Sequence, residues 1–325
     1  MRVLVTGGTG FVGSRLVEAL LARGHQINLL VNRTQPVIPE GPSVKYHRCD
    51  LTDPVNFRSA GFKSDAAVNV AGQLRVPGLP DEHYWKVHYE ATKHVLEECT
   101  RFKLKRLVQV STTGVYGVTG RNPVGEEGPI APSDIYEKTK WEGERYAREY
   151  CSDGKLDLVV ARPGLVYGPG DRHLLGLYKA IKWGVFRVIG EGQNFVHPIF
   201  IDDLTEGLVA CVESPAAAGQ AFNLVNPAPV TFRAFCEEIA RALGKKLPSA
   251  SLPKKLARGM GAGFEAIRAV TRMEVPLTRE RVDFMTSDRA YDASRARRVL
   301  GFSARTSLAD GVRATVEAYA GKGWI

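Results

Sequence analysis

A chain of 325 residues, 44 % apolar and 24 % charged, is longer than one average domain and too apolar to be disordered. No stretch approaches the ~18 uninterrupted apolar residues of a membrane span. Met1–Val5 leads straight into a strand-and-turn pattern, which predicts a cytoplasmic protein with no cleaved leader. Five widely spaced cysteines read as reduced thiols rather than a disulfide framework or a metal site, and a formal charge of +9 favours anionic partners of any kind.

In chain order, an apolar strand Arg2–Thr6 is followed by a glycine-rich turn and an amphipathic helix, Val12–Ala22. Strands Gln26–Val31, Val44–His47 and Ala66–Val70 come next. Helix His83–Arg101 leads to strand Leu107–Val110, and helix Ile135–Tyr150 leads to strand Leu158–Ala161. Nearly continuous apolar runs alternating with helices predict an α/β fold with a doubly wound parallel sheet over residues 1–163. The rhythm then changes. Gly168, Gly170, the turn Gly190–Asn194, Pro227 and Pro229 divide 164–325 into shorter units, among them helices Asp203–Glu213 and Phe232–Leu243 and strand Ala221–Leu224. These predict a smaller, mainly substrate-binding region that shares a cleft with the first and returns some segments to it.

Gly7, Gly10 and Gly13 stand between the first strand and the first helix. Glycines there permit a tight turn and close approach of backbone N–H groups to a pyrophosphate at a helix N-terminus. The spacing Gly-x-x-Gly-x-x-Gly resembles the extended branch of the short-chain dehydrogenase/reductase superfamily, and the resemblance covers nearly the whole chain. It implies a Rossmann domain and cofactor contacts at Gly7, Gly10, Phe11, Val12 and Gly13. It further implies contacts at Asp50 and Leu51 after the third strand, at Val70, Ala71 and Gly72 after the fourth, and at Pro163. Helix capping is an alternative role for Asp50, although Asp53–Pro54 is better placed for it. No acidic residue occurs between Glu18 and Glu40, where an NAD enzyme usually carries one for the ribose 2′-hydroxyl. Arg33 there suits a 2′-phosphate, so NADP is the expected cofactor with NAD as the alternative; a solvated loop residue is the plain reading of Arg33.

Tyr136 and Lys140 lie one helical turn apart on one face. A free tyrosine has a pKa of roughly 10. A neighbouring ammonium, together with an oxidised nicotinamide ring, favours the phenolate, so the expectation is a lowered pKa and a phenol able to exchange a proton with a substrate oxygen. The segment Ser111–Thr112–Thr113–Gly114–Val115–Tyr116–Gly117 resembles the family's hydroxyl-bearing strand end, and counting back from Tyr116 assigns Thr112 to the reacting oxygen. Ser111 and Thr113 remain open by one residue of register. His88 stands where many relatives carry asparagine, either as a proton relay or as a packed core residue.

The resemblance further places the chain nearest dihydroflavonol reductases and 3β-hydroxysteroid dehydrogenases. The stretches Leu277–Val282 and Tyr291–Phe302 are similar to sterol-type relatives, and Val196 stands where nucleotide-sugar enzymes carry an arginine. The expected reaction is hydride transfer between a nicotinamide and a secondary alcohol or ketone of an apolar substrate. A nucleotide-sugar epimerase or dehydratase with tightly held NAD is the enzymatic alternative, and a non-catalytic NADP-binding scaffold the other. Helices 83–101 and 135–150 resemble the family's dimer interface, so a homodimer is expected. Nucleic-acid binding has no supporting motif, and no metal site is expected. Residues 252–273 carry Leu252, Leu256, Met260, Phe264, Ile267 and Val270 at helical spacing among basic residues. They read as an ordinary surface helix, a lid, or a peripheral membrane contact.

Overall fold

The structure is a computed structural model that describes residues 1–32, 34, 36, 38–53, 63–76, 78–271, 275 and 277–325. Its centre is a seven-stranded sheet. The strands are β1 (Arg2–Thr6), β2 (Gln26–Val31), β3 (Val44–Arg48), β4 (Ala66–Asn69), β5 (Arg106–Val110), β6 (Asp157–Pro163) and β10 (Ala221–Leu224). They lie in the order β10-β6-β5-β4-β1-β2-β3, and every pairing is parallel. The strand order reverses between β1 and β4, the switch point where ligands bind at the carboxyl edge of such sheets.

Burial on both faces explains the apolar runs. In β1, Val3 and Val5 pack beneath α1 (Phe11–Ala22) with Leu16, Val17 and Leu20, whereas Leu4 faces Val95, Leu96 and Ala147 on the opposite side. That opposite layer holds α3 (Ile135–Tyr150) and a long helix, α2. The latter runs through Asp81–Trp85, a π-helical turn Lys86–Glu90, and Ala91–Arg101. It therefore starts two residues before the expected His83 and carries a wide turn that no residue pattern announces. The helices approach closely there: a Cβ on Gly143 of α3 would lie 2.3 Å from the His88 carbonyl oxygen.

Beyond β6 the chain forms β7 (Leu165–Tyr167), α4 (Leu175–Lys182), β8 (Phe195–Val196) and β9 (Pro198–Phe200). Next come α5 (Ile201–Glu213), then β10, then β11 (Val230–Thr231) and α6 (Phe232–Ala242). The last elements are α7 (Lys254–Thr271), α8 (Arg279–Met285), α9 (Ser294–Leu300) and α10 (Leu308–Gly321). Two segments beyond residue 163 lie in the sheet layers. Strand β10 pairs with β6, and Leu204, Leu208 and Val212 of α5 share the cluster of α1, because both segments are buried on the faces the sheet needs covered. Helix α7 turns Ala257 and Gly261 towards α8, while Leu256, Met260 and Ile267 are exposed. Arg258 pairs with Asp283 of α8 at 3.0 Å. Arg272 and Met273, at the end of the basic segment, lie outside the described residues.

Among the described residues no helix is long and apolar enough to cross a membrane, and no cluster of metal-ligating side chains occurs. Cys49, Cys99, Cys211 and Cys236 are buried and Cys151 is half-buried. Burial pushes the Cys49 thiol up to about 12 and that of Cys151 to about 11, and raises those of Cys99 and Cys236 still further.

Candidate active site

The carboxyl edge of the sheet opens into one cavity of about 480 Å³, within the usual range of ligand sites. Its first wall is the turn between β1 and α1. Gly7 has φ +67°, and a Cβ on it would lie 2.6 Å from Cα of Ala71. A Cβ on Gly13 would come within 2.2 Å of the Gly7 carbonyl oxygen. Gly10 caps α1 with extended backbone and no capping side chain, and no acid occupies the first turn. The opening N–H groups of the helix, with the positive end of its dipole, are thus presented to an anion. A cradle that side chains would fill, at an uncapped helix N-terminus, fits the pyrophosphate of a dinucleotide. Phe11, Val12, Val70, Ala71, Gly72 and Pro163 line the same cavity.

Asp50 and Leu51 line it as well. One oxygen of Asp50 accepts from the Thr52 backbone at 2.9 Å and from its hydroxyl at 2.7 Å, so this carboxylate also fixes its own turn. Asn32 stands in the wall at the end of β2; Arg33 lies outside the described residues. Beneath the turn, the Thr6 hydroxyl donates to Asn69 (2.6 Å) and the Asn69 amide to Gln109 (2.9 Å). This buried polar belt ties β1, β4 and β5 together, and no local sequence pattern announces it.

Tyr136, Lys140 and Thr112 meet in the opposite wall. Asp134 caps α3 by accepting from the Glu137 N–H at 2.8 Å, which sets the first turn that carries Tyr136. The three hydroxyls have different surroundings: that of Thr112 accepts from the Gly114 N–H at 3.0 Å and lies near enough to the Tyr136 phenol to favour its ionised form. Thr113 instead donates to the Pro163 carbonyl at 3.1 Å, and Ser111 lies buried beside Glu144. The Lys140 amine donates to the carbonyls of Val110 (3.1 Å) and Ala71 (3.4 Å), and it passes so near Gly72 that a Cβ there would sit 3.0 Å from Nζ.

Among the protein groups alone, burial sets the electrostatics. Burial raises the Tyr136 phenol above its ordinary value; Arg75 and the Thr112 hydrogen bond oppose that rise. Burial likewise brings Lys140 down to about 8. The cation stacked on the tyrosine is Arg75, whose guanidinium carbon lies 4.6 Å above the ring centroid. His88 packs edge-on to Tyr136 at 5.4 Å between ring centroids. Its Nε2 accepts from the Gln73 N–H at 3.0 Å, which leaves the proton on Nδ1 to donate to Thr139 at 2.8 Å. Desolvation holds its pKa at about 2. His88 is a packed, neutral residue with both ring nitrogens hydrogen-bonded.

The same wall contains groups with no sequence signal. Arg75 is paired to Asp134 (2.6 Å) and Glu137 (2.9 Å), and Arg289 to Glu137 (2.8 Å). His197 accepts the Tyr291 N–H at Nδ1 (3.1 Å) and donates from Nε2 to the Asn226 carbonyl (2.7 Å). Below them a buried Arg162–Glu144 pair (2.5 Å), joined by Tyr116, braces β6 against α3. No local pattern links residues 75, 137 and 289; only a reading of single charged residues against apolar surroundings could have flagged Arg75.

A parallel doubly wound sheet, a glycine cradle at its switch point and a Tyr–Lys pair facing that cradle define a dinucleotide-dependent enzyme fold. The sequence model of the NAD dependent epimerase/dehydratase family matches residues 3–224, and the chain belongs to that family. Its members are NAD-dependent enzymes of the extended short-chain type. Similar proteins include a 2-alkyl-3-oxoalkanoate reductase of Stenotrophomonas maltophilia, 30 % identical over 96 % of this chain and 98 % of that one. An Escherichia coli N-acetyl-α-D-glucosaminyl-diphospho-ditrans,octacis-undecaprenol 4-epimerase is 27 % identical over 97 % and 94 %. A sterol-4-α-carboxylate 3-dehydrogenase (decarboxylating) of Bos taurus is 28 % identical over 98 % and 92 %. The relatives thus span carbonyl and sterol oxidoreductases as well as sugar epimerases.

Proposed function

We propose that this chain interconverts a secondary alcohol and a ketone on a largely apolar substrate. The observation that carries the reading is the Thr112–Tyr136–Lys140 wall facing the glycine cradle across one cavity. The cradle, Asp50, Leu51, Val70–Gly72 and Pro163 would hold the dinucleotide, and Lys140 would serve its nicotinamide ribose. When bound, the nicotinamide accepts or supplies the hydride. Tyr136 takes the proton of the substrate hydroxyl in oxidation and returns it to the carbonyl oxygen in reduction, while Thr112 hydrogen-bonds that oxygen. Val87, Leu165, Val166, Val196 and Phe284 give the remaining walls an apolar character that supports a hydrophobic substrate. The relatives named as an oxoalkanoate reductase and a sterol dehydrogenase support it too.

The absence of an acid at the end of β2, with Asn32 and Arg33 in its place, supports NADP over NAD. A half-buried aromatic row over α2 and α3, with Trp85 against Tyr89 and Tyr89 against Tyr146, supports a homodimer through these helices; light scattering reads the mass directly.

The test is a screen of ketones and secondary alcohols with both nicotinamide cofactors, following absorbance. No turnover of any member overturns the reading. The relative named as an epimerase supports a second one, in which NAD stays bound through the cycle. A cofactor that copurifies and does not exchange would favour it.

A further inference from the structure

Arg75 lies in the stretch between β4 and α2, and the backbone on both sides of it is fastened to α2. The Gln73 N–H donates to Nε2 of His88 at 3.0 Å, and the Val76 N–H donates to the Tyr84 hydroxyl at 2.8 Å. The guanidinium is held in turn by the start of α3. Its Nε donates to Oδ2 of Asp134 at 2.6 Å, and its Nη2 donates to Oε1 of Glu137 at 2.9 Å. These two carboxylates flank Tyr136 in the chain, and the guanidinium carbon they hold lies 4.6 Å from the Tyr136 ring centroid. Phe284 of α8 approaches the same carbon at 5.9 Å. Arg75 is thus clamped by two ion pairs in a cation–π stack on the tyrosine, with 24 % of its side chain exposed.

The other titratable groups around the phenol are differently placed. The Lys140 amine is bound to the carbonyls of Val110 and Ala71, and burial brings it down to about 8. His88 of α2 is neutral, and so is His173 in the cavity wall, at about 4 through burial, Arg75 and Arg281. Glu280 of α8 lies 3.5 Å from Nε of Arg75, Arg289 pairs with Glu137 at 2.8 Å, and Asp50 and Asp171 line the same cavity. On the phenol itself burial is the largest influence and raises its pKa. The Arg75 charge comes next and lowers it, ahead of the Thr112 hydroxyl, while Asp134 and Glu137 raise it. Removing the Arg75 charge leaves both carboxylates less compensated beside the ring, so the sign is fixed: the phenolate is disfavoured.

We propose that Arg75 is a positioning residue: stacked on Tyr136 and clamped by Asp134 and Glu137, it favours the ionised phenol that accepts the proton of the substrate hydroxyl. The cation lies over the ring face, so Arg75 acts through Tyr136 and not on the reacting oxygen. Two cations then divide two tasks, with Lys140 serving the nicotinamide ribose and Arg75 serving the proton transfer. This rests on the oxidoreductase reading above, because it is that reaction which makes Tyr136 a proton acceptor.

The test compares the wild type with Arg75→Gln, which keeps a hydrogen-bonding group without the charge, and Arg75→Lys, which keeps the charge. In each, Tyr136 is replaced by a polyfluorinated tyrosine, whose phenol is acidic enough to titrate while the protein stays folded, and its ionisation is followed by fluorine NMR. The midpoint is expected to rise by about one pH unit in Arg75→Gln and by much less in Arg75→Lys. An unmoved midpoint in Arg75→Gln overturns the proposal, and so does a rise in Arg75→Lys of about a full unit, so each variant decides if the other fails to fold. With unmodified Tyr136 and saturating NADP, the pH profile of kcat for an alcohol found by the screen gives a second reading. Below the wild-type midpoint Arg75→Gln is expected to lose about tenfold in kcat and to recover at higher pH. A loss of equal size at every pH is what a merely structural role produces, and it overturns the proposal. The fluorine titration needs no turnover, so failure of the reaction and failure of the Arg75 role are separable.

Discussion

The two ends of the cavity are made of different materials. The proposed cofactor end is mainly backbone: Gly7 and Gly13 come so close to Ala71 and to the Gly7 carbonyl that no Cβ fits, and the proposed anion site is the uncapped start of α1. The proposed substrate end is side chain: Arg75 and Arg289, from distant segments, both donate to one carboxylate oxygen of Glu137. A site built from backbone constrains a few adjacent residues to glycine and so leaves a local trace. A site built by convergence constrains no spacing at all.

That contrast can be tested from both ends. Tyr136→Phe, which removes the hydroxyl between them, is expected to lower kcat by about 10²–10⁴-fold while cofactor affinity, followed by fluorescence titration, changes little. Normal turnover would remove Tyr136 from the chemistry. Gly13→Ala forces a methyl within 2.2 Å of a carbonyl oxygen and 2.7 Å of the Gly8 Cα. It should cost about 1–3 kcal/mol or more of stability and abolish cofactor-induced stabilisation, measured as the shift in Tm on adding NADP. An unaltered shift would mean that the cradle holds nothing.

A smaller effect is expected from Arg33→Ala: weaker NADP binding by about tenfold with NAD nearly untouched, read by titration with each cofactor. Equal weakening would remove the preference. The smallest concerns protons. Lys140 has its folded pKa lowered to about 8 from an ordinary 10.5. Between those values the unfolded chain binds the proton that the folded one has released, so stability should rise with pH across that window. Urea unfolding at several pH values, compared with Lys140→Met, isolates this slope; parallel curves would mean that Lys140 is not desolvated.

Much of the fold was legible for the same reason as the glycine turn. Strands buried on both faces must be continuously apolar, and β1, β2 and β10 were bounded correctly. The Tyr136–Lys140 pair is a helical-spacing signal and was equally plain. Which later segments join the sheet was not, because a strand's composition states that it is covered and not which neighbour pairs with it. The π-helical turn at Lys86–Glu90 left no trace, since a widened turn changes the hydrogen-bond partner and not the residue type. The rise of the Tyr136 pKa among the protein groups alone was not legible, because it comes from burial, and burial depth is a tertiary quantity.

The raised thiol pKa values have a practical consequence. With Cys99 inside the α2 layer and Cys236 inside the α6 cluster, almost no thiolate exists at neutral pH, and neither sulfur is accessible to an alkylating reagent until its surroundings open. Each cysteine is thus a built-in clock for its own layer. Matching alkylation rates at the two positions would mean that the sheet and the late helices come apart in one event, and a faster rate at Cys236 would mean that the substrate side breathes while the dinucleotide side stays shut.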